Sequence, residues 1–238
     1  MRSTVNFAFP WAALKALALV LSMSALTHAR ATEVPMGPGE VVTQATDRIL
    51  AIVQEAKGYF DTDPDRYFTA IGSELDAVVD FRGFARGVMG DYASGARYRT
   101  LDEAGRERLK SQLNDFTAVL RDNVIRTYSR GLLAFGGSQI EVGETEFSPD
   151  NNKVASVISY VSGEGDNPYV LKYQMGQYRD GSWKLRNLII ENINLGEIYR
   201  GQFAASAADF DGDLDRVIAQ WDQTQSEDEA EGDSNASE

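Results

Sequence analysis

The chain has 238 residues, no cysteine, one histidine and a formal net charge of −13. The lack of cysteine excludes disulfide stapling, thiolate metal sites and Cys-His nucleophiles, so the fold must rest on an apolar core. The acidic balance excludes nucleic acid as an expected partner, because binding phosphate needs clustered Lys and Arg.

The first residues have the layout of a secretory signal peptide. Arg2 and Lys15 supply positive charge, Ala16-Leu17-Ala18-Leu19-Val20-Leu21 opens an apolar run that continues to Leu26, and Ala29-Arg30-Ala31 places small residues where a signal peptidase cuts. Ser22, Ser24 and Thr27 dilute the run, which falls short of the ~20 apolar residues of a membrane span. The expectation is a cleaved signal over residues 1–31, with Ala31 as the first choice of cut and Ala29 as the second. That segment holds Arg2, Lys15, Arg30 and no acid, so the mature chain keeps 20 basic groups against 36 acidic ones, a charge of −16. His28 leaves with it, and with His28 go Ser-His-Asp triads and imidazole metal ligands.

One domain is expected over residues 38–221. Val42, Ala45, Ile49, Ile52 and Ala56 recur at helical spacing and predict a helix from Gly39 to Lys57. Asp63-Pro64 is a cap followed by proline at the first helical position, ahead of the stripe Phe68, Ile71, Leu75 and Val78. Asp80 is expected to cap a short helix carrying Phe84, Val88 and Met89, ended by Gly90. Thr100 and Glu103 have capping-box spacing before a long helix with the stripe Leu109, Leu113, Phe116, Leu120 and, through Val124, Tyr128.

After Gly136-Gly137 the apolar period changes to two. Ile140 and Val142 begin one strand and Val154 to Val161 form the next. Tyr169, Leu171, Tyr173 and Met175 share a face opposite Lys172 and Gln174, and Trp183 to Ile193 form a fourth strand after the Asp180-Gly181 turn. Asn194 and Glu197 repeat the capping-box pattern, and Asp211 is expected to cap a last helix ending near Trp221. Helices, then a four-stranded antiparallel meander, then helices define an α+β fold. Residues 222–238 are acidic and polar with no apolar side chain larger than alanine, and are expected to stay disordered.

Little in this inventory carries chemistry. Asp209, Asp211, Asp213 and Asp215 form the densest acidic cluster, but Gly212 and Gln220 fall at the wrong positions for an EF-hand loop. Turn and cap roles are expected for these aspartates instead. No catalytic residue, metal ligand or cofactor is expected.

Two stretches carry a resemblance. Val79-Asp80-Phe81-Arg82-Gly83-Phe84-Ala85-Arg86-Gly87-Val88-Met89-Gly90-Asp91-Tyr92 is one, and Trp183 to Leu195 followed by Tyr199-Arg200-Gly201-Gln202-Phe203 is the other. Together they resemble the MlaC, or toluene-tolerance, family of periplasmic phospholipid-binding proteins. Asn187, Asn192 and Asn194 depart from the Asp, Gly and Ser usual in that family. The resemblance implies a cone-like arrangement in which helices pack on a curved four-stranded sheet, with a lipid pocket between them. It further implies a phospholipid ligand and traffic between an inner-membrane ABC transporter complex and an outer-membrane lipoprotein complex. On face alternation and this resemblance, the expected pocket residues are Phe84, Val88, Met89, Leu113, Phe116, Leu120 and Tyr128 from helices. Tyr169, Leu171, Tyr173, Ile189 and Ile193 are expected from the sheet. A hopanoid cargo, an adaptor that holds no lipid and a small enzyme on the same fold are the alternatives.

Overall fold

The computed structural model describes residues 36–134, 139–162 and 168–221. The expected signal peptide, the Gly136-Gly137 pair, the turn at 163–167 and the acidic tail lie outside the described residues.

Helices α1 (Pro38–Ala56), α2 (Pro64–Val78) and α3 (Phe81–Met89) follow the expected apolar stripes. Local chemistry sets their ends. Asp63 accepts from the Arg66 N–H just before Pro64, and Asp80 accepts from the Gly83 N–H. Gly90 ends α3 at φ 55°, a backbone conformation that a side chain would make costly.

A 3-10 turn (Gly90–Ala93) leads to α4 (Gly95–Thr100), which the apolar stripes do not signal, and then to the 32-residue α5 (Glu103–Ala134). The expected cap of α5 is corrected here. Thr100 is consumed as the last residue of α4, its hydroxyl donating back to the Arg97 carbonyl at 2.7 Å. Asp102 takes over and accepts from the Gly105 N–H at 2.8 Å.

Strands β1 (Gln139–Ser148), β2 (Asn151–Ser162), β3 (Tyr169–Gln177) and β4 (Trp183–Ile190) form a sequential antiparallel meander. A fifth strand, β5 (Ile193–Asn194), pairs back onto β4 and corrects the expected count of four. The chain reverses at Glu191, which adopts a left-handed φ of 55°. Both backbone and side chain of Glu191 hold the turn against β3. Its N–H donates to the Val170 carbonyl at 2.8 Å, and its carboxylate accepts from the Val170 N–H.

Asn194 caps α6 (Leu195–Asp209) through the Glu197 N–H, as expected. The last helix, α7, spans 214–221. Its cap is Asp213, which accepts from the N–H groups of Asp215 and Arg216, whereas Asp211 takes a left-handed φ of 53° in the preceding turn. Among the described residues no helix is long and apolar enough to cross a membrane.

The interior has three apolar clusters. One joins α3 and α5 to α6 and α7 around Phe116, Phe203 and Val217. A second joins α1, α2 and α5 around Val53, Tyr67 and Ile71. The third seats Val41 and Val42 of α1 on Ala155, Val157, Met175 and Trp183 of the sheet.

Tyr67 is fully buried in the second cluster, edge-on to Phe60 with ring centroids 5.4 Å apart, and its hydroxyl donates to the Ser129 carbonyl at 2.8 Å. Burial, assisted by the neighbouring Tyr59, pushes this phenol up to about 12. The stabilisation from keeping it neutral is complete below the unfolded value of ~10 and is lost as the pH rises through the folded value. Urea midpoints are therefore expected to fall between about pH 10 and pH 12, and Tyr67→Phe should flatten that fall by about one proton's contribution to the slope. Parallel pH profiles for the parent and Tyr67→Phe would contradict this assignment.

Candidate functional site

The sheet register sorts its residues into two faces. On the helix-facing side, cross-strand rows run Ala155–Met175–Leu185, then Val157–Tyr173–Leu188, then Val142–Ser159–Leu171–Ile190, then Ile140–Val161–Tyr169. The first row is closed by α1 and belongs to the third apolar cluster. Tyr173 stands at the margin of that cluster. Further along, Ile140, Val161, Leu171, Leu188 and Ile190 are half-buried, and none of them belongs to the three clusters among the described residues. At the free end Tyr169 and Ile193 remain 51 % and 52 % exposed.

The helices explain this gradient. α1 meets β1, β2 and β4, while α2, α3 and α6 meet β4. The main neighbours of α5, the longest helix, are the other helices. The sheet thus has a sealed end and, beyond it, a half-buried apolar surface that lies outside the packed clusters.

The expected pocket residues divide into four groups. Val88, Met89, Leu113, Phe116 and Leu120 come together, but inside the closed helical cluster, where Phe116 and Leu120 are 0 % exposed. A helical stripe marks the buried side of a helix and does not say whether protein or ligand buries it. Phe84 sits at the edge of that cluster, its ring edge-on to Tyr199 at 5.9 Å. Tyr128 is half-buried outside the clusters, and its hydroxyl meets that of Tyr199, linking α5 to α6. Burial, with Tyr128 beside it, raises the pKa of Tyr199. Tyr169, Leu171, Tyr173 and Ile193 all lie on the helix-facing side of the sheet.

Ile189 does not. It pairs with Lys172 on the opposite face, which corrects its assignment to the pocket side. A bulge in β4 between the partners of Gln174 and Met175 shifts the alternation by one residue, so Leu188 and Ile190 face inward instead. The signal was present in the sequence: Arg186-Asn187 puts two polar residues in succession between Leu185 and Leu188. Simple alternation overlooks it.

On the outer face Asn187 organises the β4–β5 turn. Its amide donates to Gln174 Oε1 at 2.9 Å and to Asn194 Oδ1 at 2.8 Å, and its oxygen accepts from the Gly196 N–H at 2.9 Å. A carboxylate at this position has no proton for either amide oxygen, so asparagine suits the arrangement. Arg200 is spent on structure as well, its Nε donating to the Gly87 carbonyl at 2.9 Å. The aspartate cluster takes pairing and capping roles. Asp215 accepts from Gln112 at 2.7 Å and pairs with Arg108, and these two contacts hold its carboxyl below the usual range. A separate surface depression, lined by Leu101, Arg108, Gln112 and Leu214, lies between α4, α5 and α7 and has no sheet residue in its lining.

The comparisons agree with this architecture. The chain is 27 % identical over 205 residues to the toluene tolerance protein ttg2D of Pseudomonas putida, covering 86 % of each chain. Its fold matches that of a phospholipid-binding protein of Ralstonia solanacearum, solved in complex with a phospholipid, with a TM-score of 0.67 and 19 % identity. The match covers 81 % of this chain and 98 % of that one. The sequence profile of the MlaC protein family matches residues 43–223. This chain is a member of the MlaC family.

Proposed function

We propose that this protein is an exported carrier that encloses the acyl chains of a phospholipid between its sheet and its helices. The observation that carries the reading is the apolar stretch of the helix-facing sheet surface, from Leu171, Leu188 and Ile190 to the rim at Tyr169 and Ile193. It is half-buried, lies outside the packed clusters and becomes exposed at one end. Family membership supports the same reading, as does the fold shared with a protein solved with phospholipid bound. The contacts proposed for the lipid are Leu171, Tyr173, Leu188 and Ile190, with Tyr128 from α5 and Phe84 at the helical edge.

The energetics demand enclosure. Two acyl chains hold ~30 methylenes, and exposing each to water costs ~0.8 kcal/mol. Transfer from a bilayer, where the chains are already dry, is close to neutral. Loading and unloading therefore need partners that bias the exchange. An inner-membrane ABC transporter complex and an outer-membrane lipoprotein complex fill that role in the proposal, and the N-terminal signal delivers the chain to the periplasm between them.

Native mass spectrometry of the protein purified from its own periplasm, followed by lipid extraction, tests the reading. The expected result is one phospholipid bound per chain. Protein that is free of lipid and takes up none from added vesicles would overturn it.

A further inference from the structure

Ser159 and Tyr173 place their hydroxyls amid apolar neighbours on the helix-facing side of the sheet. Ser159, at the centre of β2, is 0 % exposed and is flanked across the strands by Val142 and Leu171. Its Oγ makes no hydrogen bond of regular geometry. Tyr173, on β3, is directly opposite Val157 and diagonal to Ser159, a separation that an aromatic side chain spans. Its phenol turns toward the Ser159 hydroxyl, and burial pushes its pKa up to about 12, so it is a neutral donor at any physiological pH. These hydroxyls stand where the packed end of the sheet gives way to the open apolar surface, one row short of Val161 and Tyr169.

A buried hydroxyl without a partner is costly, and in native proteins such a group is usually bonded to protein, water or ligand. The two hydroxyls face each other and can share one hydrogen bond, which leaves one proton over, and Val142, Val157, Val161 and Leu171 around them are hydrocarbon and offer it no acceptor. The acyl chains of the proposed ligand offer none either. The ester carbonyls that join them to the glycerol do.

Building on the carrier reading above, we infer that Tyr173, positioned by Ser159, donates a hydrogen bond to an ester carbonyl of the bound lipid and makes the site selective for ester-linked over ether-linked chains. The selectivity follows from what each ligand leaves behind. An ester satisfies the pair. An alkyl ether of equal length offers a weaker, less accessible acceptor and leaves the remaining hydroxyl proton unsatisfied.

The test is a competition on the delipidated full-length mature protein. Equimolar diacyl and dialkyl phosphatidylglycerol of matched chain length are offered together, and the bound species are counted by native mass spectrometry. The parent protein is expected to prefer the diester by about fivefold, the equilibrium equivalent of one net hydrogen bond. Tyr173→Phe should bring the ratio of the two bound lipids close to one, and Ser159→Ala should lower it part of the way. Equal uptake of the two lipids by the parent, or an unchanged preference in Tyr173→Phe, overturns the inference and leaves the carrier reading in place. Binding of neither lipid by the parent overturns both.

Discussion

Replacing Phe116 by alanine is expected to cost about 3–5 kcal/mol of folding stability and to leave the lipid stoichiometry of the remaining folded protein unchanged. The ring is fully buried and lies edge-on to Phe203 at 4.8 Å and to Trp221 at 5.1 Å. Removing it leaves a cavity bordered by α3, α6 and α7, and two aromatic partners lose their packing together. A stabilised domain gives 5–15 kcal/mol in total, so this one change takes a large share of the margin. Urea unfolding measures the cost directly. A loss below about 1 kcal/mol, coupled to loss of lipid, would mean that Phe116 lines the lipid site rather than the core.

Leu171→Trp is expected to give the opposite signature. Leu171 faces the helices from β3 between Ser159 and Ile190, half-buried and outside the packed clusters. If the space above it holds acyl chain, an indole there competes with the ligand, and co-purified lipid should fall at least tenfold, or roughly 1.4 kcal/mol in binding. The thermal midpoint of the lipid-free protein should then stay within a degree or two of the parent, because on the carrier reading the added ring enters space meant for acyl chain. In a filled core the same substitution would strain its neighbours and cost about 1–3 kcal/mol. The pair of variants therefore separates core from ligand surface: one loses stability and keeps lipid, the other loses lipid and keeps stability. A destabilised Leu171→Trp protein with normal lipid content would remove the sheet surface from the proposal.

The two variants also mark where the reading of the sequence reached its limit. Phe116 and Leu171 both show the apolar spacing of a buried position, and that spacing together with the family resemblance places both among the expected pocket residues. The periodicity is a property of one element, whereas the difference between a packed residue and a ligand contact depends on what stands opposite. Phe203 and Trp221, 87 and 105 residues further along the chain, stand opposite Phe116. No sequence pattern in α5 encodes that meeting.

What the sequence determined by itself was local. Asp63, Asp80 and Asn194 each cap the helix that follows, because a short polar side chain can satisfy an N–H two or three residues ahead without help from the rest of the fold. Gly90 and the Asp180-Gly181 turn stop their elements for equally local backbone reasons. The order of helices and strands, and the common face of Tyr169, Leu171 and Tyr173, were legible for the same reason.

Tertiary structure decided the rest. Whether Thr100 or Asp102 starts α5 depended on the presence of α4, which ends on Thr100. Whether Ile189 or its neighbours face the helices depended on a bulge that exists only in the pairing of β4 with β3. The fifth strand depended on Glu191 being held in a strained conformation by Val170 of β3. For Ile189 and Glu191 the deciding partner is a neighbouring strand of the sheet, and burial is a relation between surfaces that a single element cannot report.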